Sequence, residues 1–219
     1  MTDEMTEADY TIEDTPESWP VLSSKVLAEG GISAYHEDLV RMVDGTEARR
    51  QYTTHHGAVG VVALDDAGRM LTLRQYRHPV RRLLWELPAG LLDKPGEHPL
   101  EAAKRELYEE AHLQAAEWRV LVDLVSAPGF SDESVRVYLA TGITDVGRPD
   151  AHDEEADLQV QWFPLDEARH MVLAGEIVNS IAVAGILAAH DVEDPSSLRP
   201  VDAPWIDRSK AFAARRADT

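Results

Sequence analysis

An α/β fold is predicted by three features of this 219-residue sequence. Val59 to Leu64 is a continuous apolar run, the pattern of a strand buried on both faces. Pro99 opens a stretch to about Ala111 that reads as a helix, because proline is harmless in a first turn, where its missing N–H has no acceptor to serve. Leu165 to Ala174 and Ser180 to Ala189 read as two further helices, the second capped by Asn179 or Ser180.

The remaining elements follow in order. Residues 1–19 are acidic and read as a disordered leader. Residues 20–56 alternate in the manner of two or three short strands, with turns at Gly30-Gly31 and Asp44-Gly45. That region is too small to bury a core of its own and needs another surface to pack on. From 57 to 219 the chain reads as one domain. Asp65-Asp66-Ala67-Gly68 makes a turn after the first buried run, and Met70 to Tyr76 reads as the strand returning alongside it. The dense stretch Leu83 to Gly90 ends irregularly at Pro88 and Gly90. Arg119 to Val125, Val135 to Ala140 and Leu158 to Phe163 are strands. The Ala127-Pro128-Gly129-Phe130 loop joins the first two, and a polar loop with Glu154 to Asp157 precedes the third. Gly185 weakens the last helix by about 1 kcal/mol relative to alanine, and the tail after Pro204 has no assigned element.

Composition narrows the chemistry. The chain has no cysteine, which excludes disulfides and thiolate metal sites. No HExxH pattern occurs, so any metal is expected to be a hard cation on oxygen ligands. The formal charge of −19 repels a long nucleic acid. The N-terminus has neither the basic start nor the apolar core of a signal peptide, and the longest apolar stretch, around Ile181 to Ala189, is too short for a membrane span. A cytoplasmic protein without membrane or nucleic-acid partners is expected.

The informative segment is Arg105-Glu106-Leu107-Tyr108-Glu109-Glu110. On a helix, residues three and four apart share a face, so Glu106, Glu109 and Glu110 project together. Three clustered carboxylates repel one another and call for a counter-charge, which Arg105 and a divalent cation would supply. Magnesium suits such a site, since it takes a few carboxylates, keeps waters and recruits phosphate oxygens.

Across GLLDKPGEHPLEAAKRELYEEAHL, the residues Gly90, Glu97, Arg105, Glu106, Glu109, Glu110 and Leu113 resemble the Nudix box, G-x5-E-x7-R-E-U-x-E-E-x-G-U with U aliphatic. Two departures stand out. Six residues rather than five separate Gly90 from Glu97, an insertion that a turn at Pro95-Gly96 would absorb. His112 stands where the box has glycine and is expected to end the helix in the left-handed region, pointing away from the carboxylate face. The flanks Gln75-Tyr76-Arg77, Trp85 to Gly90, Ala127 to Glu133, Glu154 to Asp157, Gly175-Glu176-Ile177 and Asn179-Ser180 are similar to the ADP-ribose pyrophosphatase branch, in its actinobacterial type. The likeness extends from about Val21 to Ala214.

The resemblance implies a Nudix α/β/α sandwich with a mixed sheet. It implies hydrolysis of ADP-ribose to AMP and ribose 5-phosphate, dependent on Mg2+, with Mn2+ able to substitute. A broader nucleoside-diphosphate-sugar pyrophosphatase and a non-catalytic ADP-ribose or nucleotide sensor are the alternatives, and the complete set of carboxylates speaks against the sensor. Carried over residue by residue, Glu106, Glu110 and the Ala89 carbonyl would hold metal, with Glu109 beside them. Arg105 would orient the carboxylates and Glu97 would brace the loop. Glu155 would be the catalytic base, with Glu154 its immediate neighbour. Arg77 would bind phosphate and Glu133 the terminal ribose. The N-terminal strands would exchange between subunits of a domain-swapped homodimer.

Overall fold

The computed structural model describes residues 13–147 and 159–217. The first part of the acidic leader, residues 1–12, lies outside them, as does the loop with Glu154 and Glu155.

Three nine-residue strands, β1 (Val21–Glu29), β2 (Ser33–Arg41) and β3 (Glu47–His55), form an antiparallel sheet of their own in the order β1-β2-β3. Every residue of β1 is exposed. This sheet meets the rest of the chain through the end of β3, where the Thr53 N–H donates to the Phe130 carbonyl at 2.7 Å and the Asp132 N–H to the Thr53 carbonyl at 3.2 Å.

The catalytic region is built on a mixed four-stranded sheet, β7-β4-β9-β8. Its strands are β4 (Ala58–Ala63), β7 (Ala89–Leu91), β8 (Leu113–Val125) and β9 (Ser134–Asp145). β4 runs parallel to β9, and the other two pairs are antiparallel. The apolar run that predicted a buried strand is the centre of this sheet: all six residues of β4 are buried. Val59, Val61 and Ala63 pack with Ala102, Ala103 and Leu107 of α1 (Pro99–Ala111). Val62 packs on the opposite side with Ala182 and Ile186 of α3 (Ser180–His190). Period-two alternation thus feeds two cores, and one helix covers each face. Gly185 has a packing purpose within α3, since a Cβ there would stand 2.7 Å from the Leu87 side chain and 3.0 Å from Val62. α2 (Leu165–Leu173) packs on α3. Among the described residues no helix is long and apolar enough to cross a membrane.

One expectation needs correcting. Met70 to Tyr76 does not return beside Val59 to Leu64. After a single bridge from Leu64 to Met70, β5 (Arg69–Arg77) leaves to join β6 (Arg82–Glu86) and β10 (Gln159–Pro164) in a second antiparallel sheet, β10-β5-β6. β9 pairs along the whole of one edge of β4 and β7 with residues 58–60 of the other, which leaves β5 only the bridge at Leu64. The helix read from Pro99 to Ala111 has those bounds, and Asn179 is the cap of α3, accepting the Ala182 N–H at 3.0 Å. The tail left unassigned contains α4 (Ala211–Ala217).

Candidate active site

The site is built where α1 lies across β7. α1 starts at Pro99, with His98 as its cap, so Arg105, Glu106, Glu109 and Glu110 fall in its second half. Their 3.6-residue periodicity divides the labour. Glu106 and Glu110 turn inward and are part-buried, while Glu109 is exposed.

Arg105 organises the cluster. Its guanidinium forks onto Glu97, with Nε to Oε1 at 2.9 Å and Nη2 to Oε2 at 3.0 Å. Nη1 donates to Glu109 Oε2 at 2.9 Å and also to Glu106 Oε1. These bonds hold the Arg105 proton firmly, and the bond from Arg105 holds Glu97 below the usual carboxylate range. One guanidinium thus ties the loop before the helix to two carboxylates on it.

Glu110 is the most buried acid of the group. Its Oε2 accepts the Ala89 N–H of β7 at 3.0 Å. Burial pushes its pKa from 4.5 up to about 8, and the charges of Glu106 and Glu86 add to the effect against the opposing Ala89 N–H and Arg77. Burial also raises Glu106. Gly90, next along β7, lies directly beneath the Glu106 side chain; a Cβ at this position would overlap the Glu106 carboxylate. Glu106 can lie this close over β7 because Gly90 has no side chain.

Glu86 is not among the residues that the sequence singles out. It is 5% exposed and forks onto Arg77, with Arg77 Nε to Oε1 at 2.9 Å and Nη2 to Oε2 at 2.6 Å. An acid inside the apolar run Leu83 to Leu87 was the available signal, since a buried carboxylate needs a charged partner. Arg77 stands in this fork, with its charge reaching Glu110.

Glu133 lies in the loop between β8 and β9. Its Oε2 accepts from the Ser126 hydroxyl, and Oε1 stands 3.3 Å from His55 Nδ1. Phe130, in the same loop, is 58% exposed. Glu155, the expected base, and Glu154 lie outside the described residues.

The insertion between Gly90 and Glu97 is absorbed as a turn. The Glu97 N–H donates to the Lys94 carbonyl at 3.1 Å, and Gly96 takes φ 78°. With proline before it, this has the residue order of a type II turn. His112 ends α1 in the left-handed conformation, φ 55° and ψ 35°, with its N–H bonded to the Tyr108 carbonyl at 2.8 Å. As expected, His112 turns away from Glu106 and Glu110: its ring meets that of Tyr108, on the other face of α1, edge-on at 6.1 Å. His112→Gly is expected to be neutral or stabilising by up to about 1 kcal/mol, because glycine reaches the left-handed region without side-chain strain. Turnover should persist. Thermal melts and metal-dependent kcat check this, and a large fall in kcat at an unchanged Tm would make His112 a functional residue instead of a cap.

The donors gathered here suit a hard divalent cation. They are oxygens, two of the carboxylates are partly desolvated, and their mutual repulsion is relieved only in part by Arg105. Among the described residues no three acidic or imidazole side chains enclose an ion-sized space as they stand. Arg105 draws Glu106 and Glu109 to itself, so binding would require Glu106 to turn toward Glu110. The side chains able to hold such an ion are Glu106, Glu110 and Glu109, with the Ala89 carbonyl as a backbone donor.

The site falls inside a span that matches a known domain. A NUDIX domain profile matches residues 54–181. The chain is 58% identical to an ADP-ribose pyrophosphatase of Mycobacterium tuberculosis, over 90% of this chain and 96% of that one. It is 33% identical to an ADP-ribose pyrophosphatase of Bacillus subtilis, over 73% of this chain and 85% of that one. Its fold is shared with a crystal structure described as an ADP compounds hydrolase, with a TM-score of 0.67 and 21% identity, covering 82% of this chain and 96% of the other.

Proposed function

Since the chain belongs to the Nudix family, we propose that it hydrolyses the pyrophosphate bond of ADP-ribose, releasing AMP and ribose 5-phosphate, with Mg2+ as its cation and Mn2+ able to replace it. The observation that carries this reading is the paired placement of Glu106 and Glu110 against β7, with Arg105 bridging Glu97, Glu106 and Glu109. The 58% identity to a protein named for this activity supports the choice of substrate.

A divalent cation bound there would neutralise diphosphate oxygens and lower the pKa of a water ligand. The chain's own residues do the rest. Glu106, Glu110 and the Ala89 carbonyl would hold the ion, with Glu109 beside them. Arg105 keeps the carboxylates in register, and its fork to Glu97 fixes the loop before the helix. Arg77 offers phosphate its Nη1, the nitrogen not engaged by Glu86. Glu133 takes the terminal ribose through hydroxyl hydrogen bonds. Glu155 removes a proton from the attacking water. That oxygen bonds to phosphorus as the bond from phosphorus to the bridging oxygen breaks, and each product leaves as a phosphate monoester.

The test is a panel of nucleoside diphosphate compounds incubated with Mg2+, with products resolved by chromatography. ADP-ribose should be turned over with the highest kcat/KM, giving AMP and ribose 5-phosphate in equal amounts. A sugar nucleotide cleaved faster than ADP-ribose would overturn the substrate assignment. Glu155→Gln should lower kcat far more than it weakens ADP-ribose binding, because a base acts in the transition state. An inactive Glu154→Gln beside an active Glu155→Gln would move the base by one residue.

The same reading makes the enzyme cytoplasmic and a domain-swapped homodimer. Support for the dimer comes from β1 and its surroundings, where Trp19, Val21, Leu22, Val26, Leu27 and Ile32 are all exposed large apolar side chains. A patch of this kind is normally covered in a soluble protein. Removal of residues 1–19 should leave activity unchanged, whereas removal of 1–55 should produce aggregated protein. Turnover reads the first and light scattering coupled to size exclusion the second, and an active monomer of residues 56–219 would refute the swapped assembly.

A further inference from the structure

A cavity of about 410 Å3 between the Nudix loop and the C-terminal segment has no part in the chemistry above. One wall is the loop 92–96, the stretch that contains the insertion in the Nudix spacing. Arg208 and Ala213 form another, and the His56 ring completes the lining.

Its charge is unusual for this molecule. The chain has 40 acidic and 21 basic residues, and its less exposed arginines are committed: Arg105 to Glu97, Arg77 to Glu86, Arg136 to Asp123. Lys94 and Arg208 differ. Among the described residues neither side chain makes a hydrogen bond or a salt bridge, and both line this cavity, against the single carboxylate of Asp93. Lys94 is near enough to the active-site acids for its charge to act on Glu97 and Glu106.

The backbone at Arg208 is held in place by its C-terminal neighbours. The Ser209 hydroxyl accepts the Ser134 N–H at 2.9 Å and donates to the Asp132 carbonyl at 2.6 Å, while the Ser209 N–H donates to the Ser134 hydroxyl at 2.9 Å. Three residues further on, Phe212 is 1% exposed and meets the His56 ring edge-on at 4.6 Å. The guanidinium therefore projects from a backbone pinned on its C-terminal side. Two cations without an ion-pair partner among the described residues, both lining one cavity and one of them on a fixed backbone, make an arrangement that an anion would complete.

We propose that this cavity binds the phosphate group of a small phosphate monoester, with Lys94 and Arg208 as its counter-charges. Arg208 supplies a planar fork and Lys94 a point charge, a combination suited to a compact dianion. The volume falls within the range of about 300–1,000 Å3 typical of small-ligand sites, so there is room for more than bare phosphate. The inference rests on the proposed hydrolysis only in naming a source, since both of its products carry such a group. Orthophosphate shares the chemistry.

Calorimetric titration of the full chain in chelator tests this with ribose 5-phosphate, AMP and orthophosphate as separate titrants. Omitting the divalent cation keeps turnover out of the signal, and the Lys94 and Arg208 substitutions separate binding in this cavity from phosphate held at Arg77. Saturable binding of ribose 5-phosphate is expected, weakened about tenfold or more by Arg208→Gln and by Lys94→Gln, each with an unchanged melting temperature. Orthophosphate binding as tightly as ribose 5-phosphate would support recognition of the phosphate group alone; tighter ribose 5-phosphate would support a sugar-phosphate site. Absence of saturable binding for all three titrants overturns the proposal, as does binding that both substitutions leave unchanged. Neither failure touches the ADP-ribose reading, which is scored on products formed with Mg2+.

Discussion

Glu110→Gln should abolish Mg2+-dependent turnover while the protein stays folded. The amide keeps the shape of the side chain, and its oxygen can still accept the Ala89 N–H that Glu110 accepts at 3.0 Å. It removes the charge that would hold a cation. A residual rate within about tenfold of wild type, equivalent to about 1.4 kcal/mol of barrier, would rule Glu110 out as a principal metal ligand. The same substitution should change metal-free stability in the opposite direction. The Glu110 carboxyl ionises near 4.5 in the unfolded chain and near 8 in the folded one. Between those values the unfolded state releases a proton that the folded state retains. The metal-free wild type therefore loses stability as pH rises from about 4.5 to about 8 and no more beyond it. Glutamine does not titrate, so in chelator the variant should melt above wild type at pH 8 and level with it at pH 4. Adding Mg2+ should then stabilise wild type and leave the variant unmoved, because only wild type has the carboxylate to bind it. Melting curves at the two pH values, with and without cation, read all three effects.

Gly90→Ala is expected to lower kcat by at least about 100-fold, the scale at which a displacement of about 1 Å is felt in an active site. A Cβ at Gly90 would occupy the space of the Glu106 carboxylate. Either β7 moves away from α1 or Glu106 swings out, and both separate Glu106 from Glu110. Gly90 is paired in register with Val59 of the buried central strand, so β7 has little freedom to retreat. Affinity for Mg2+ should fall together with kcat, which calorimetry and steady-state kinetics would show. A Gly90→Ala enzyme within about tenfold of wild type on both measures would mean that the contact between β7 and Glu106 is dispensable.

How far the sequence reaches depends on the range of the interaction concerned. The carboxylate face of α1 was legible because i, i+3 and i+4 spacing is local geometry, and the helix bounds were legible because Pro99 and the left-handed stop at His112 act on their own backbone. β4 was legible because burial on both faces leaves an unbroken apolar run. The family resemblance extended this to roles that no spacing rule supplies. Glu86 shows the limit on the other side. It is an acid in an apolar stretch, and its partner Arg77 stands four positions away along the β5–β6 ladder, which pairs Arg77 with Arg82 and Leu73 with Glu86, so the ion pair depends on how the Arg77 side chain lies in the folded protein. The departure of β5 from β4 was equally invisible in the sequence, since it depends on which distant strands fill the edges of β4. So was the approach of the tail to the Nudix loop through Ser209 and Phe212. The local chain determined which residues are chemically able to act, because propensity and periodicity are properties of neighbours along it. Tertiary packing decided which of them share a site, because desolvation, ion pairing and strand choice depend on groups that meet only when the chain has folded.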